Sequence, residues 1–318
     1  MNGTEPKIEI FTPFGAAFEL MKRILFQPFD FQKWLVIGFA AFLANLSGST
    51  NFNYTPDWSD KSDWSFRSMT HNGSNEWPSW ALPVLIGVVL LVIAIAIVVY
   101  WVGCRGRFIF ADCIVRNRAA IAEPWREYRR EGNSFFFFSL VVGLVALVIV
   151  AIASVPVWLP FARGWTEGAG FVATLSIGIV LLIAVIVLLA LALSLLFQLM
   201  VPVMYRQRCR ALQAFREVVG LILSHPGPMI LYLLFCIVLN LGAGVIACLS
   251  MPLTCCITLI PYVGTVVLLP IFVVLAAFPL LFLRQFGDQY DAWATIGFPQ
   301  PPVPPLAAPP LPPPAASV

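Results

Sequence analysis

Long apolar runs without Asp, Glu, Lys or Arg dominate the pattern of hydrophobic and polar positions along the chain. A bilayer core needs about 20 apolar residues of helix, and the polar–apolar alternation of a lipid-facing β-barrel is absent. The pattern therefore predicts an all-α fold, a polytopic transmembrane helical bundle of six spans. The predicted spans are residues 31–48, 81–103, 135–159, 169–201, 229–252 and 256–283.

The first of these runs is the weakest, because Lys33 interrupts its start and only Trp34 to Leu46 is continuously apolar. A run this short also fits the apolar region of a cleaved signal peptide, which is about 7–15 residues long. The residues before it are too many for the leading region of a signal peptide, and they include the acidic Glu5, Glu9, Glu19 and Asp30. We expect a first transmembrane helix, and whether 31–48 crosses the bilayer completely stays open.

The basic residues predict the orientation. With the N-terminus inside, 16 of the 19 Lys and Arg residues fall on the cytoplasmic side, and only Lys61, Arg67 and Arg163 fall outside. Cytoplasmic segments of membrane proteins carry such an excess of positive charge. We therefore expect a multi-pass protein of the cytoplasmic (plasma) membrane with both termini in the cytoplasm.

Three similar segments precede the first, third and fifth spans. In the first segment, Phe14, Phe18, Met21 and Leu25 recur at steps of four and three, which is typical of an amphipathic helix. In the other two, the pattern Arg116-x-Arg118 with Trp125-Arg126-Glu127 recurs 90 residues later as Arg206-x-Arg208 with Phe215-Arg216-Glu217. The spacing favours three units, each an amphipathic elbow followed by a transmembrane hairpin. The alternative is that basic amphipathic stretches before spans match by chance while satisfying the charge bias.

These elbows, around Phe18, Trp125 and Phe215 and each followed by a Pro or Gly turn, resemble those of uncharacterised bacterial multi-spanning membrane proteins built from such units. The chain is also similar to the membrane domain attached to some glycerophosphoryl diester phosphodiesterases. The resemblance covers roughly residues 10–290 and implies an integral membrane protein. It transfers no catalytic residue, because the phosphodiesterase catalytic domain is not within these residues.

Composition and charge exclude several classes of function. The 318 residues are 60% hydrophobic and 11% charged, with a mean hydropathy of +0.88, whereas soluble domains carry about 25% charged residues. A net charge of +3 is too small for a nucleic-acid partner. His71 and His225 are predicted on opposite sides of the membrane, and no hydrolase, zinc or phosphate-loop motif occurs. We expect no catalytic residue, no cofactor and no metal.

Two kinds of candidate site remain. Gln198 and Asn240 are the strongest polar groups within the apolar runs and could bind a solute, although amides in membranes more often join helices. Arginines before the third and fifth spans face the leaflet that carries anionic lipid. The candidate lipid contacts are Arg116, Arg118, Arg126, Arg206, Arg208 and Arg216.

The flanking segments of the membrane domain (1–298) are polar or proline-rich. Residues 48–80 are expected to form an exoplasmic loop, and residues 299–318, with ten prolines, a disordered cytoplasmic tail able to dock a protein partner. Cys248, Cys255 and Cys256 lie near one outer end, where two of them could form a disulfide or all could be small apolar residues. The preferred hypothesis is a non-enzymatic scaffold that interacts with lipid or a partner protein. The alternative is a permease or flippase for a neutral or lipid-like substrate.

Overall fold

A computed structural model describes residues 9–48, 81–164, 168–253, 261–294 and 296–298. The expected loop beyond residue 48, the Pro-rich tail, and Cys255 with Cys256 lie outside the described residues. Every regular element in the described ranges is a helix. In chain order these are α1 (Phe11–Phe26), α2 (Phe31–Asn45), α3 (Ala81–Val115), α4 (Ala122–Glu127), α5 (Arg129–Ala162), α6 (Ala169–Gln207), α7 (Ala211–Ser224), α8 (Pro226–Leu253), α9 (Pro261–Val267) and α10 (Leu269–Leu283), followed by a 3₁₀ turn, Arg284–Phe286.

Five of the described helices are long and apolar enough to cross a membrane: those at Leu82–Val115, Arg129–Ala162, Gly170–Gln207, Pro226–Ser250 and Leu269–Phe286. The first predicted span instead forms α2, which has 15 residues and is about 22 Å long. That length is less than the roughly 30 Å of a hydrocarbon core. The all-helical membrane class is therefore established with five candidate spans.

The long helices divide into an exposed and a buried half. In α3, Val88 is 51% exposed and Leu91 60%, whereas Cys104 and Phe108 are fully buried. The most apolar stretch of this helix, which begins near Leu82, is 0% buried against protein. Apolar surface of this extent is stable only when lipid covers it. We call the other half, built from residues 103–115, 195–207 and 269–283 with α1, α4 and α7, the buried layer.

Helix α3 extends beyond the predicted span 81–103. It has 35 residues, about 52 Å, and so passes well beyond a hydrocarbon core. Arginine is a good helix former, so Arg105 and Arg107 do not end the helix. It ends before Asn117, which adopts the left-handed conformation (φ +49°) common after helix C-termini.

Helices α2 and α3 pack backbone to backbone. A Cβ atom placed on Gly103 would lie 2.3 Å from the Ser47 nitrogen, and one on Gly106 would lie 2.5 Å from the Leu43 carbonyl carbon. Only glycine permits this approach, which is how small residues join helices in membranes. The contact fixes α2, although short, against the middle of α3.

The last predicted span is interrupted at Leu268, between α9 and α10. Pro270 has no N–H to donate to the carbonyl of Val266, four residues earlier. The Trp34 indole Nε1 on α2 donates to that carbonyl at 3.0 Å. The break therefore attaches α9 to α2.

The three short amphipathic helices each pack on longer helices. Helix α4 lies on α3 and α5, α7 lies on α6 and α5, and α1 lies on α10. Two reciprocal hydrogen bonds of 2.8 Å join the start and end of this layer: Glu9 N donates to Gln285 Oε1, and Gln285 Nε2 donates to the Glu9 carbonyl. The first helix thus closes the buried layer against the last.

Candidate functional site

A central cavity of about 100 Å³ lies where α2, α3, α6, α8 and α10 meet. Most of its wall is apolar, because each helix turns an aliphatic or aromatic face toward it. This apolar wall includes Phe110, Phe197, Leu239, Leu275 and Phe278. Three side chains supply its strongest polar groups, Arg107, Gln198 and Asn240.

Arg107 brings a positive charge into this cavity. Its Nε donates to Ser47 Oγ at 2.8 Å, and its guanidinium carbon lies 5.1 Å from the centre of the Phe135 ring. Within the described ranges, Arg107 forms no ion pair, and its remaining N–H donors have no hydrogen-bond partner. A shielded charge is costly without a partner, so the cavity favours an occupant that accepts hydrogen bonds and carries negative charge.

The two amides predicted as a polar site, Gln198 and Asn240, line this same cavity. Gln198 Nε2 donates to Ser194 Oγ at 3.2 Å, and Gln198 Oε1 accepts from the Tyr232 hydroxyl at 3.3 Å. Asn240 Nδ2 donates to the Cys236 carbonyl at 2.6 Å, which leaves its carbonyl oxygen available as an acceptor. The structure therefore brings together two residues that lie 42 positions apart in the chain.

A separate ionic cluster surrounds the fully buried Asp112 on α3. Arg116 Nε lies 3.1 Å from Asp112 Oδ1, and Arg118 Nε donates to Asp112 Oδ2 at 2.9 Å. The hydroxyls of Tyr128 and Tyr205 donate to Asp112 Oδ1 at 3.3 and 3.0 Å. Both oxygens of this carboxylate are therefore satisfied, by residues of the α3–α4 connection, of the junction between α4 and α5, and of α6.

The cluster continues to a second carboxylate, Glu127. It accepts from Arg116 at 2.9 Å and pairs with Arg208, whose guanidinium carbon also lies 3.8 Å from the centre of the Tyr128 ring. Burial alone would raise the pKa of Glu127, but the hydrogen bond and charge of Arg208, with the charge of Arg116, hold that pKa below its ordinary value of 4.5. Burial raises the pKa of the Tyr128 hydroxyl, so it remains protonated and a donor.

Arginines and carboxylates balance within this cluster. The three carboxylates of Asp112, Glu123 and Glu127 face three arginines, Arg116, Arg118 and Arg208. These arginines were predicted to contact anionic lipid, and a lipid phosphate would have to compete with their carboxylates. The cluster is a neutral joint between helices.

The other three predicted lipid contacts occupy different environments. Arg126 is exposed on α4 and lines a surface cleft with Trp101. Arg206 is half-buried near the end of α6, and its buried Nε has no hydrogen-bond partner among the described residues. Arg216 is exposed on α7. The predicted set is thus dispersed over the buried layer rather than gathered at one point.

Metal-ligating residues are also dispersed. In the part of the chain that the structure describes, no group of three or more His, Cys, Asp or Glu residues could hold a metal ion. Cys104, Cys113, Cys209, Cys236 and Cys248 are free thiols. A disulfide between Cys255 and Cys256, or from either to another cysteine, falls outside the described residues.

Sequence reasoning missed Arg107 and Asp112 as site residues. Both lie beyond the predicted end of the second span, because that span was ended at the first charged residue. The sequence does contain one indication that the helix continues past residue 103. Gly103 and Gly106 are three residues apart, a spacing that indicates close packing against another helix.

Comparison with known proteins gives a family without an assigned activity. No curated protein and no solved structure matches the chain. The similarity to the membrane domain of glycerophosphoryl diester phosphodiesterases therefore stays a prediction. A family of unknown function, DUF7544, matches residues 9–288. That match spans most of the chain, so the protein belongs to this family.

Proposed function

We propose that this protein is a non-enzymatic, lipid-interacting membrane protein that holds the polar end of a lipid-like ligand in the central cavity. The observation that carries the proposal is the guanidinium of Arg107, which has no ion-pair partner among the described residues and faces an apolar cavity beside Gln198 and Asn240. Sites for drug-sized ligands are about 300–1,000 Å³. A cavity of about 100 Å³ therefore suits one end of an amphiphile whose remainder lies among the exposed helix surfaces.

The architecture that supports this proposal is a set of three elbow–hairpin units. Helices α1, α4 and α7 are the elbows, and α2/α3, α5/α6 and α8 with α9–α10 are the hairpins. Each elbow packs on a hairpin of a neighbouring unit, which would close the units into a ring around the central cavity. In this proposal α2 is the sixth helix inserted in the membrane. It is too short to cross the bilayer alone, and it is held in place by α3, which does cross it.

The proposed orientation places the buried layer and both termini on the cytoplasmic side of a plasma membrane. The support is the distribution of Lys and Arg, since those of the described connections lie in the buried layer or next to its ranges, apart from Arg163. A membrane-impermeant maleimide tests it on intact cells with Arg163→Cys and Arg130→Cys, both at exposed positions. We expect labelling of the first in intact cells and of the second only after permeabilisation; the reverse pattern would overturn the orientation.

Native mass spectrometry of the mildly solubilised full-length protein tests the cavity. The wild type should retain bound lipid, and Arg107→Gln, which removes the charge but keeps a polar amide, should retain less of it. The matched control is Arg130→Gln, an exposed position that does not line the cavity. Equal lipid retention by the wild type and Arg107→Gln would refute the proposal.

A permease or flippase is the second candidate function. Pro202 within α6 and Pro279 within α10 both line the cavity, and prolines within helices allow bending. Two bending walls could open the cavity toward either side of the membrane. Flux of a fluorescent lipid in proteoliposomes should then fall in Gln198→Leu and Asn240→Leu; unchanged flux would argue against transport through this cavity.

A partner protein that docks on the Pro-rich tail is part of the scaffold proposal. Affinity capture from native membranes, with the chain ending at residue 298 as the control, tests it. Recovery of the same companions with and without the tail would count against tail-mediated docking.

A further inference from the structure

A cleft of about 380 Å³ on the surface of the buried layer is lined by two indoles and three guanidinium groups. The residues are Trp101, Arg105, Trp125, Arg126 and Arg129. The guanidinium carbon of Arg105 lies 4.2 Å from the Trp101 ring centre and 5.0 Å from the Trp125 ring centre. Arg105 is thus held between two aromatic faces, an arrangement that favours a cation.

The orientation of Arg105 is fixed by Asn133. Arg105 Nε and Nη2 donate to Asn133 Oδ1 at 3.1 and 2.8 Å, and Trp101 Nε1 donates to the same oxygen at 3.0 Å. These bonds use one edge of the guanidinium. On the opposite edge, the N–H groups of Nη1 and the second N–H group of Nη2 have no partner among the described residues. These donors form a planar fork that matches two oxygens of a phosphate.

The charge of the cleft is uncompensated. Within the described ranges, Arg105, Arg126 and Arg129 form no ion pair, in contrast to the balanced cluster at Asp112. Arg105 is only 6% exposed, so its charge is largely removed from water. The buried charge of Arg105, with the exposed charges of Arg126 and Arg129 beside it, favours an anion in the cleft.

The cleft also lies at the depth of a lipid headgroup. Trp101 stands where α3 changes from its exposed apolar half to its buried half, between Val98 (58% exposed) and Cys104 (0%). Tryptophan prefers the boundary between hydrocarbon and water. An anion bound here would therefore sit at the membrane surface rather than in bulk solution.

We infer that this cleft binds the phosphate of an anionic phospholipid of the leaflet that faces the buried layer. The Arg105 fork holds two phosphate oxygens, Arg126 and Arg129 supply the remaining charge, and the two indoles border the glycerol region. This site is separate from the central cavity, and it rests on the proposed function only for the identity of the leaflet.

The test uses the full-length protein in nanodiscs that contain equal amounts of phosphatidylglycerol and phosphatidylcholine, with retained lipids identified by native mass spectrometry. Arg129→Gln and Arg130→Gln form a matched pair, because both positions are exposed and adjacent and only Arg129 lines the cleft. We expect the wild type to retain phosphatidylglycerol preferentially. Arg129→Gln and Arg126→Gln should each lower that preference about fivefold, and Arg130→Gln should leave it nearly unchanged.

Arg105→Lys adds a test of geometry, since lysine keeps the charge but loses the planar fork; a loss of preference is expected there too. If this variant does not fold, the exposed Arg126 and Arg129 positions still decide the question. Equal effects of Arg129→Gln and Arg130→Gln would show a diffuse positive surface and overturn the site. Displacement of the retained lipid by inorganic phosphate would assign the cleft to soluble phosphate compounds and overturn the lipid assignment. Arg107→Gln should not change this preference, so failure of the cavity proposal would be recognised separately.

Discussion

Gly106→Ala should destabilise the protein by forcing α2 away from α3. The new methyl group would lie 2.5 Å from the Leu43 carbonyl carbon and 2.6 Å from the Ala44 nitrogen, whereas ordinary contacts begin at 3.4 Å. Both neighbours are backbone atoms and cannot rotate away, so the helices would separate by about 1 Å. Overpacking of this kind costs about 1–3 kcal/mol, and in a protein of 318 residues Tm falls by roughly 1.5 °C per kcal/mol.

Gly87→Ala is the matched control on the same helix. A Cβ atom at Gly87 meets nothing within 4 Å, so this variant should show only the helix preference of alanine, up to about 1 kcal/mol. The difference between the two variants isolates the steric cost.

Unfolding can be followed in detergent with a thiol-reactive dye. Cys104 and Cys113 are both 0% exposed in the folded protein, so they react with the dye only when the protein unfolds. We expect Gly106→Ala to unfold at a lower temperature than Gly87→Ala. Equal transition temperatures would refute the backbone contact between α2 and α3.

Three further outcomes can be measured with the same unfolding assay. Trp34→Phe removes the donor to the Val266 carbonyl and should cost about 1–3 kcal/mol, and Pro270→Ala in the same chain should restore part of that loss by supplying the missing N–H; no rescue would contradict the explanation of the helix break. Asp112→Asn removes the buried carboxylate that Arg116 and Arg118 share and should cost about 3–5 kcal/mol, so a variant as stable as the wild type would show that this ionic cluster does not stabilise the fold. Glu127 has a lowered folded pKa, so its contribution to stability is full above its unfolded pKa of about 4.5 and is lost as the pH falls through the folded value. Its replacement by Gln should therefore flatten the acid limb of the stability profile, and an unchanged profile would contradict this.

Much of the fold could be predicted because lipid imposes a simple requirement on sequence. The runs 135–159 and 169–201 lie within α5 and α6, since uninterrupted apolar residues in lipid can satisfy their backbone only as helices. The ends of these helices could not be predicted in the same way. Helix α3 continues through Arg105, Arg107 and Asp112 because protein groups, not lipid, surround that part.

The candidate sites also differ in how far the sequence could predict them. Gln198 and Asn240 stood out because amides are rare in apolar runs, and the structure places both at the central cavity. Arg116 and Arg208 looked like surface charges. Arg208 pairs with Glu127, which is distant in the chain, whereas Arg116 pairs with Asp112, one helical turn before it. Which arginines keep a free guanidinium depends on three-dimensional pairing, which a single sequence does not contain.

The contact of α1 with α10 has a consequence for biosynthesis. Helix α1 leaves the ribosome before the other described helices, but the surface it packs on, with Gln285 reaching back to Glu9, leaves after them. A nascent chain must therefore keep the apolar face of α1 on the membrane surface throughout translation. Emergence of α10 is the event that lets α1 pack in its final place, and a chain truncated before α10 should be a substrate for membrane proteases.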